Sequence, residues 1–528
     1  MLISVQNILG GQLSAISGQH LEIELPLSKS ESNRALMIMH YAESQSHKVV
    51  ETQSVMSDSD DTVLLQKHLS TINQYIQGPK SEVQSPLTLD CHNAGTVFRF
   101  LMTAVAVAET QSRRDAKLKV NSQSRSQSQS QSQSRSQSQS RSQSQSQSQE
   151  SESTVSVLLT GSDRMKNRPI DSLVEALRSL GVSIEYKGRE GYPPILVRGG
   201  RIEGGRVEVS AEQSSQFASS LLLAAPLWEK GLELHLTGNL SSLPYIDMTI
   251  GMMRQCGIDV DRNDRIITVK PGRYNIENIK VGPDWSAAAF WYEMVSFSDN
   301  AELLLKNLNI DSLQADAAAI KMFESLGVET ISVEEGVVVG KTTKQQDNKT
   351  TRFVDAETQS LKDAKFEVNG QRSASKSAFS VEVNNRSLCQ QSVSESTFNF
   401  QDCPDLFPAV IAACAGNKVN ATFTGLKNLS IKESDRKHAM MNELSKIGIT
   451  FEDVSADELK MFCPDELPYF TEENPIIFNN YEDHRIAMAL SLLSMKIGAI
   501  SMENTDVVSK SYPYFFEDLC TLRLCERK

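Results

Sequence analysis

Residues 172–186 read SLVEALRSLGVSIEY, an amphipathic stretch that stops at a glycine and runs on into a short β-rich segment. Ile170, Leu173, Val174, Leu177 and Leu180 fall at helical spacing and share one face, and Gly181 supplies a left-handed C-terminal cap. The same grammar returns in MTIGMMRQCGIDVDR (248–262), AAAIKMFESLGVETIS (317–332) and AMMNELSKIGITFED (439–453), with the stops at Gly257, Gly327 and Gly448. These glycines are 76, 70 and 121 residues apart. Taking a polar excursion of about 57 residues out of the last gap returns it to about 64, close to the others. Weaker echoes occur at SMKIGAIS around Gly498 and at HLSTINQY near residue 70. The chain reads as α/β, with a unit of roughly 70 residues used about six times. That period is too long for a solenoid repeat and suits a small subdomain of helices on a mixed sheet.

Two excursions interrupt the pattern. Residues 122–149 alternate Ser and Gln with no apolar residue to offset ordering entropy, which predicts a disordered insertion. Arg125, Arg135 and Arg141 alone break that alternation, too sparsely for a dense Arg/Ser tract. The second excursion, about 341–397, is polar and predicts a long loop with strand character in FSVEV.

A chain of 528 residues with 39% hydrophobic content makes two or more globular units the natural expectation. Nothing approaches the ~18 to 20 consecutive apolar residues of a membrane span, and the N-terminus lacks a basic region followed by an apolar run, so a cytoplasmic chain without a membrane role is expected. The eight cysteines form no C-x-x-C pair and no His-linked zinc spacing, which signals neither a disulfide framework nor a metal site. A formal charge of −13 disfavours a nucleic-acid surface and repels anions, so an anionic ligand must meet a local basic cluster.

Such clusters recur beside small residues at helix starts, where backbone N–H groups and cations converge on phosphate or carboxylate. LPLSKSESNRAL (25–36) offers Lys29, Ser30 and Arg34, and CHNAGTVFRFLM (91–102) places Arg99 one turn after Gly95, which admits close approach to backbone. LTGSDRMKNRPI (159–170) carries Arg164, Lys166 and Arg168 ahead of Pro169. Ser214, Ser215 and Gln216 head an apolar helix, and Ser242 and Tyr245 bring hydroxyls to another helix start. Further on come Asp405 in QDCPDLFPAV, Lys432, Glu433, Asp435, Arg436 and His438 in IKESDRKHAMMNEL (431–444), His484 and Arg485 in NYEDHRIAMALSLL, and Lys510 in VVSKSYPYFFEDL. Each has an ordinary structural reading as a solvated helix start, and Ser430-x-x-Glu433 fits a capping box. No Ser or Cys sits in an activating elbow, so charge stabilisation and proton transfer suit this set better than nucleophilic catalysis.

Taken in order, from about residue 20 to 517 outside the excursions, these motifs resemble those of the 5-enolpyruvylshikimate-3-phosphate (EPSP) synthase family, the 3-phosphoshikimate 1-carboxyvinyltransferases. The resemblance implies a two-lobed enolpyruvyl transferase fold, an inside-out α/β barrel with three βαβαββ units per lobe around a helical core. The lobes would be residues 28–283, on the shikimate 3-phosphate side and containing insertion 122–149, and residues 1–27 plus 284–528, containing the excursion at about 341–397. It implies transfer of the enolpyruvyl group of phosphoenolpyruvate to the 5-hydroxyl of shikimate 3-phosphate, in the route to chorismate and aromatic amino acids, by a monomer with no cofactor or metal. Lys29, Ser30, Arg34, Ser214, Ser215, Gln216, Ser242, Asp405, Asn428 and Lys432 would hold shikimate 3-phosphate. Lys29, Gly95, Arg164, Gln216, Arg436, Arg485 and Lys510 would surround phosphoenolpyruvate. Asp405 is the expected base on the 5-hydroxyl and Glu433 the acid–base on the methylene, with Lys29 and His484 assisting proton movement.

Three residues depart from the family pattern: Leu27 before Ser-Lys-Ser where Gly is usual, Phe100 after Arg99, and Trp285 in GPDWSAAAF where a small residue is usual. The sister transferase acting on UDP-N-acetylglucosamine would show Lys-Asn in place of Lys29-Ser30 and a reactive lid cysteine, and neither is present. A non-catalytic homologue using the Ser/Gln insertion for interactions would have no need of both Asp405 and Glu433.

Overall fold

The four glycines that end the repeated stretch have left-handed backbones, with φ of 92° at Gly181, 81° at Gly257, 84° at Gly327 and 87° at Gly448 in this computed structural model. After each, the next amide donates to the carbonyl five residues back: Val182 to Leu177, Ile258 to Met253 and Val328 to Phe323 at 3.0 Å, and Ile449 to Leu444 at 3.4 Å. Each glycine's own amide bonds three back, so one helix-ending motif is used four times and turns the chain into a strand each time. The structure describes residues 2–3, 12–13, 21–46, 56–77, 85–108, 155–199, 202–212, 214–240, 242–277, 279–298, 300–342 and 396–521. The expectations for 122–149 and for most of 341–397, with Cys389 and Cys525, lie outside these residues. By contacts the chain divides into Met1–Lys341 with Ser396–Lys528, and Thr342–Glu395; the first unit is the one described below.

Three four-stranded sheets share one plan: a parallel pair, then two antiparallel strands, the last being the strand that follows the capping glycine. Leu87–Asp90 runs parallel to Ser156–Thr160, followed across the sheet by Ile195–Arg198 and Ser183–Tyr186. Gly205–Ser210 pairs in the same way with Leu232–Thr237, Ile266–Val269 and Val260–Asn263, as does Ser396–Asn399 with Ala421–Thr424, Glu458–Phe462 and Thr450–Ser455. A further sheet repeats it with Leu21–Glu24, Asn300–Lys306, Gly336–Thr342 and Glu329–Val333, plus the short strand Gln12–Leu13. A parallel strand pair needs a crossover helix, which is why the helices alternate with these pairs.

The helices collect into two separate apolar cores. One is built from residues between Ala35 and Tyr274, including the helices Ser215–Ala224 and Leu243–Gln255. The other joins Ile23 and Leu25 to residues between Trp285 and Leu519, centred on the almost wholly buried helices Trp285–Ser296, Phe407–Gly416 and His484–Leu492. The chain passes between them along two adjacent segments, where Ser28 N–H donates to Gly282 O at 2.8 Å and Asp284 N–H to Pro26 O at 2.9 Å. Leu27 lies in this crossing, bridged to Pro283. Trp285 is buried with its indole N–H on Asn309 O at 3.0 Å, and Phe100 is a core residue 6.0 Å from the Arg34 guanidinium, so all three departures are absorbed by packing.

Among the described residues no helix is long and apolar enough to cross a membrane, and no cluster of His, Cys, Asp and Glu has metal-binding geometry. Cys91, Cys256, Cys403, Cys414 and Cys463 are free thiols. Cys520 is disulfide-bonded, a bridge that cysteine spacing did not signal because a single link leaves no repeated pattern.

Candidate active site

The helix starts picked out in the sequence converge on one cleft of roughly 860 Å³, counting its open mouth, with a wall from each core. Lys29, Ser30, Arg34, Gly95, Ser214, Ser215, Gln216 and Ser242 line it from the first core, and Asp405, Asn428, Lys432 and Glu433 from the second. The convergence follows from the fold, because crossover connections place helix N-termini at the C-terminal ends of parallel strands, where backbone N–H groups and the helix dipole favour anions. Ser214 caps Ser215–Ala224 by accepting from Gln216 N–H at 3.2 Å. Gln216 then bridges, donating to Thr96 Oγ1 at 2.7 Å and accepting from Arg99 Nη1 at 2.8 Å.

On the second-core wall, Arg436 organises three carboxylates. Its Nη1 donates to Asp405 Oδ1 at 2.6 Å, its Nη2 to Glu433 Oε2 at 3.0 Å, and its Nε to Asp483 Oδ2 at 2.8 Å. Arg485 Nη2 donates to Asp405 Oδ2 at 3.0 Å, Lys432 Nζ to Asp405 Oδ1 at 3.3 Å, and Lys510 Nζ lies 3.6 Å from Glu433 Oε1. Burial pushes both cleft carboxyls up, but Arg485, Lys432 and Arg436 outweigh it for Asp405 and Lys510, Arg436 and Arg168 for Glu433, so both are held well below the usual carboxylate range. His484 is buried with neither ring nitrogen hydrogen-bonded; burial and then Lys29 and Arg485 depress its pKa well below the ordinary value, leaving a neutral imidazole. Lys29 is fixed by Asp61, 3.4 Å from its Nζ.

Across the cleft, Arg99 and Arg168 crowd Gly95: a methyl group there would come within 2.5 Å of an Nη1 of each. Both guanidiniums are buried, with Arg99 Nε and Arg168 Nε and Nη1 lacking any hydrogen-bond partner. Burial lowers the pKa of both, and the neighbouring Arg168 guanidinium adds to that effect on Arg99. Two buried, partly unpaired cations side by side form a receptor for an anion.

The sequence profile described as EPSP synthase (3-phosphoshikimate 1-carboxyvinyltransferase) matches residues 146–519. The chain belongs to the EPSP synthase family. A 3-phosphoshikimate 1-carboxyvinyltransferase of Bacteroides fragilis is 31% identical over 508 residues, covering 96% of each chain. One from Methanosphaera stadtmanae is 24% identical, covering 97% of this chain and 98% of its own. The solved EPSP synthase of Acinetobacter baumannii superposes with a TM-score of 0.60 at 18% identity, over 99% of this chain and 98% of that one, which supports the two-lobed enolpyruvyl transferase fold.

Within this EPSP synthase fold, the Arg164 guanidinium donates to the carbonyls of Ser430 and Lys432, and Arg168, four residues on, packs against Gly95. One sequence reading needs correction: the capping box at Ser430 is absent, and the helix Arg436–Ser445 is capped by Asp435, which accepts from His438 N–H at 3.3 Å, because residues 427–431 form a separate 3₁₀ turn. Arg436 and Arg485 contact the lining Asp405, Arg436 and Lys510 the lining Glu433, and His484 is buried beside them. Asp61, Thr96, Arg99, Arg168, Tyr245 and Ile431 line the cleft beyond the expected set. Arg99, Arg168 and Tyr245 sit in motifs already visible in the sequence, whereas Asp61 opens an ordinary helix and no local pattern marks it.

Proposed function

We propose that this chain transfers the 1-carboxyvinyl group of phosphoenolpyruvate to the 5-hydroxyl of shikimate 3-phosphate, releasing phosphate and 5-enolpyruvylshikimate 3-phosphate. The observation that carries this reading is the opposition of the partly unpaired Arg99 and Arg168 guanidiniums, packed on Gly95, to the Asp405 and Glu433 carboxylates joined by Arg436. Two phosphates and two carboxylates bring roughly −5 to −6 of charge, which needs such a cationic cleft in an acidic protein.

Asp405 takes the proton of the 5-hydroxyl as its oxygen bonds to C2 of phosphoenolpyruvate, while the C3 methylene gains a proton from Glu433 and becomes a methyl group. Phosphate then leaves the tetrahedral intermediate as a methyl proton returns to Glu433, restoring the double bond. Glu433 is a carboxylate in the unliganded site, held there against burial by Lys510, Arg436 and Arg168. Anionic phosphoenolpyruvate engaging those cations weakens that hold and raises the Glu433 pKa, so substrate binding prepares the acid. Lys29, Gly95, Arg164, Gln216, Arg436, Arg485 and Lys510 surround phosphoenolpyruvate, with Arg99 and Arg168 packed against Gly95. Ser30, Ser214, Ser215, Gln216, Ser242, Asn428 and Lys432 hold shikimate 3-phosphate, with Arg34 shaping that end through bonds to Thr249, Ser219 and the Tyr245 carbonyl. The two cores correspond to lobes at 28–283 and at 1–27 plus 284–528, acting as a cytoplasmic monomer. Phosphate release from the two substrates tests the reading: none from wild type refutes it, and undiminished release by Glu433→Gln removes Glu433 from the proton path.

A further inference from the structure

We infer that Ser509 and Asp60 are positioning residues for Lys510: the hydrogen bond between them ties the turn that carries Lys510 to the helix start that steadies Lys29. The inference rests on the transferase assignment of this site, in which both lysines face phosphoenolpyruvate. Asp60 and Asp61 open the helix Asp60–Gln77 and divide the work. Asp61 is buried and lies 3.4 Å from Lys29 Nζ, whereas Asp60 is exposed and its Oδ2 accepts from Ser509 Oγ at 2.6 Å. Lys510 follows Ser509 directly; its Nζ donates to Asn93 O at 3.2 Å and lies 3.6 Å from Glu433 Oε1. The helix packs on the first core through Leu65 and Leu69, and the turn on the second through Val508 and Tyr512, so the bond joins the two.

Both ends of this bond are held. At the helix start, Ser57 N–H donates to Ser32 Oγ at 2.9 Å, Ser59 N–H to Ser57 Oγ at 3.3 Å and Thr62 N–H to Ser59 O at 2.9 Å. Lys510 ends the 3₁₀ turn Thr505–Lys510, which is fixed beyond it by Tyr512 N–H on Val508 O at 2.8 Å, both residues being buried. An ammonium group is a point charge on a flexible four-carbon stem, so its place depends on where the backbone beneath it is held. A hydroxyl-to-carboxylate bond is charge-assisted, and at Ser509 it sets the origin of the Lys510 stem relative to Asn93 and Glu433. Tyr514 adds a second link to the same helix start by bonding Asp58, but it lies four residues past Lys510 and outside the turn. One turn of helix thereby registers two lysines, Lys29 through Asp61 and Lys510 through Asp60 and Ser509.

Phosphate release, in steady state and in single turnovers that reach slow variants, tests this on the full chain with Ser509→Ala, Ser509→Thr, Asp60→Ala, Tyr514→Phe and Lys510→Ala beside wild type. Ser509→Ala and Asp60→Ala are each expected to raise KM for phosphoenolpyruvate about 3- to 30-fold, the size of one hydrogen bond to a charged group, and the double variant goes no further. The rise in KM exceeds any fall in kcat, and shikimate 3-phosphate binding by calorimetry stays within about twofold of wild type. Ser509→Thr keeps the hydroxyl and restores KM, and Tyr514→Phe leaves it unchanged. On a Lys510→Ala background, Ser509→Ala adds no loss, because no lysine remains to be placed. An unmoved KM in Ser509→Ala makes the bond idle; a further loss on top of Lys510→Ala, or an equal rise in Tyr514→Phe, makes it a contact that does not act through Lys510. Each of these results overturns the inference. Should Asp60→Ala fail to fold, the Ser509 pair of variants carries the same comparison. Absence of turnover in wild type refutes the transferase reading instead, and the variants cannot mimic that result.

Discussion

Gly95 shows how one missing side chain shapes the site. The atoms nearest a Cβ at this position are the flexible ends of Arg99 and Arg168, so Gly95→Ala should fold normally while pushing both guanidiniums off their anion. The expected result is a KM for phosphoenolpyruvate raised about tenfold, near 1.4 kcal/mol of lost binding, with kcat within a fewfold and melting temperature unchanged. Glu293 poses a different single-residue question, because its carboxyl is fully buried in the helix Trp285–Ser296 and neither oxygen has a hydrogen-bond partner. Burial raises its pKa well above 4.5, so the folded chain keeps a proton that the unfolded chain releases. Its contribution therefore falls as pH rises above 4.5, until the folded pKa is reached. Glu293→Gln should gain stability over wild type by up to about 1.4 kcal/mol per pH unit in that window, read from urea unfolding at several pH values. A gain independent of pH would mean that Glu293 is not protonated in the folded state.

At the scale of elements, the helix–glycine–strand unit is the fold's repeating instruction, and its capping glycine is where it is most exposed to substitution. Gly257 has φ of 81° and open space around its Cβ position, so Gly257→Ala meets no clash and isolates the backbone cost of a left-handed residue. Chemical denaturation should show a loss of about 1 to 2 kcal/mol with kcat unchanged. These units were legible from the sequence because helical periodicity and a terminal glycine are local signals. Helix boundaries near the site were less legible. Ser430-x-x-Glu433 looked like a capping box, yet Asp435 is the cap, because the chain turns once at residues 427–431 before the helix can start.

For the molecule as a whole, the cleft gathers cations from both cores in a chain of net charge −13, which favours an anion there over the rest of the acidic exterior. Every site residue expected from the sequence lies outside 122–149. Deleting that segment should leave turnover nearly intact, and a collapse of phosphate release in the deletion variant would give the insertion a part in folding or catalysis.

The sequence by itself determined the α/β repeat, the four helix-ending glycines and most cleft residues, since each depends on neighbours within one turn of helix or on a short motif. It also carried the family, through motifs in a fixed order. Only the tertiary structure decided which arginine of the 164–168 pair packs against Gly95, that Asp61 steadies Lys29, and that Arg436 ties Asp405, Glu433 and Asp483 together. Apart from Glu433, three residues before Arg436, the partners in those assignments lie tens of residues away in the chain, and charge pairing in a buried cleft is set by distances that spacing along the chain does not encode.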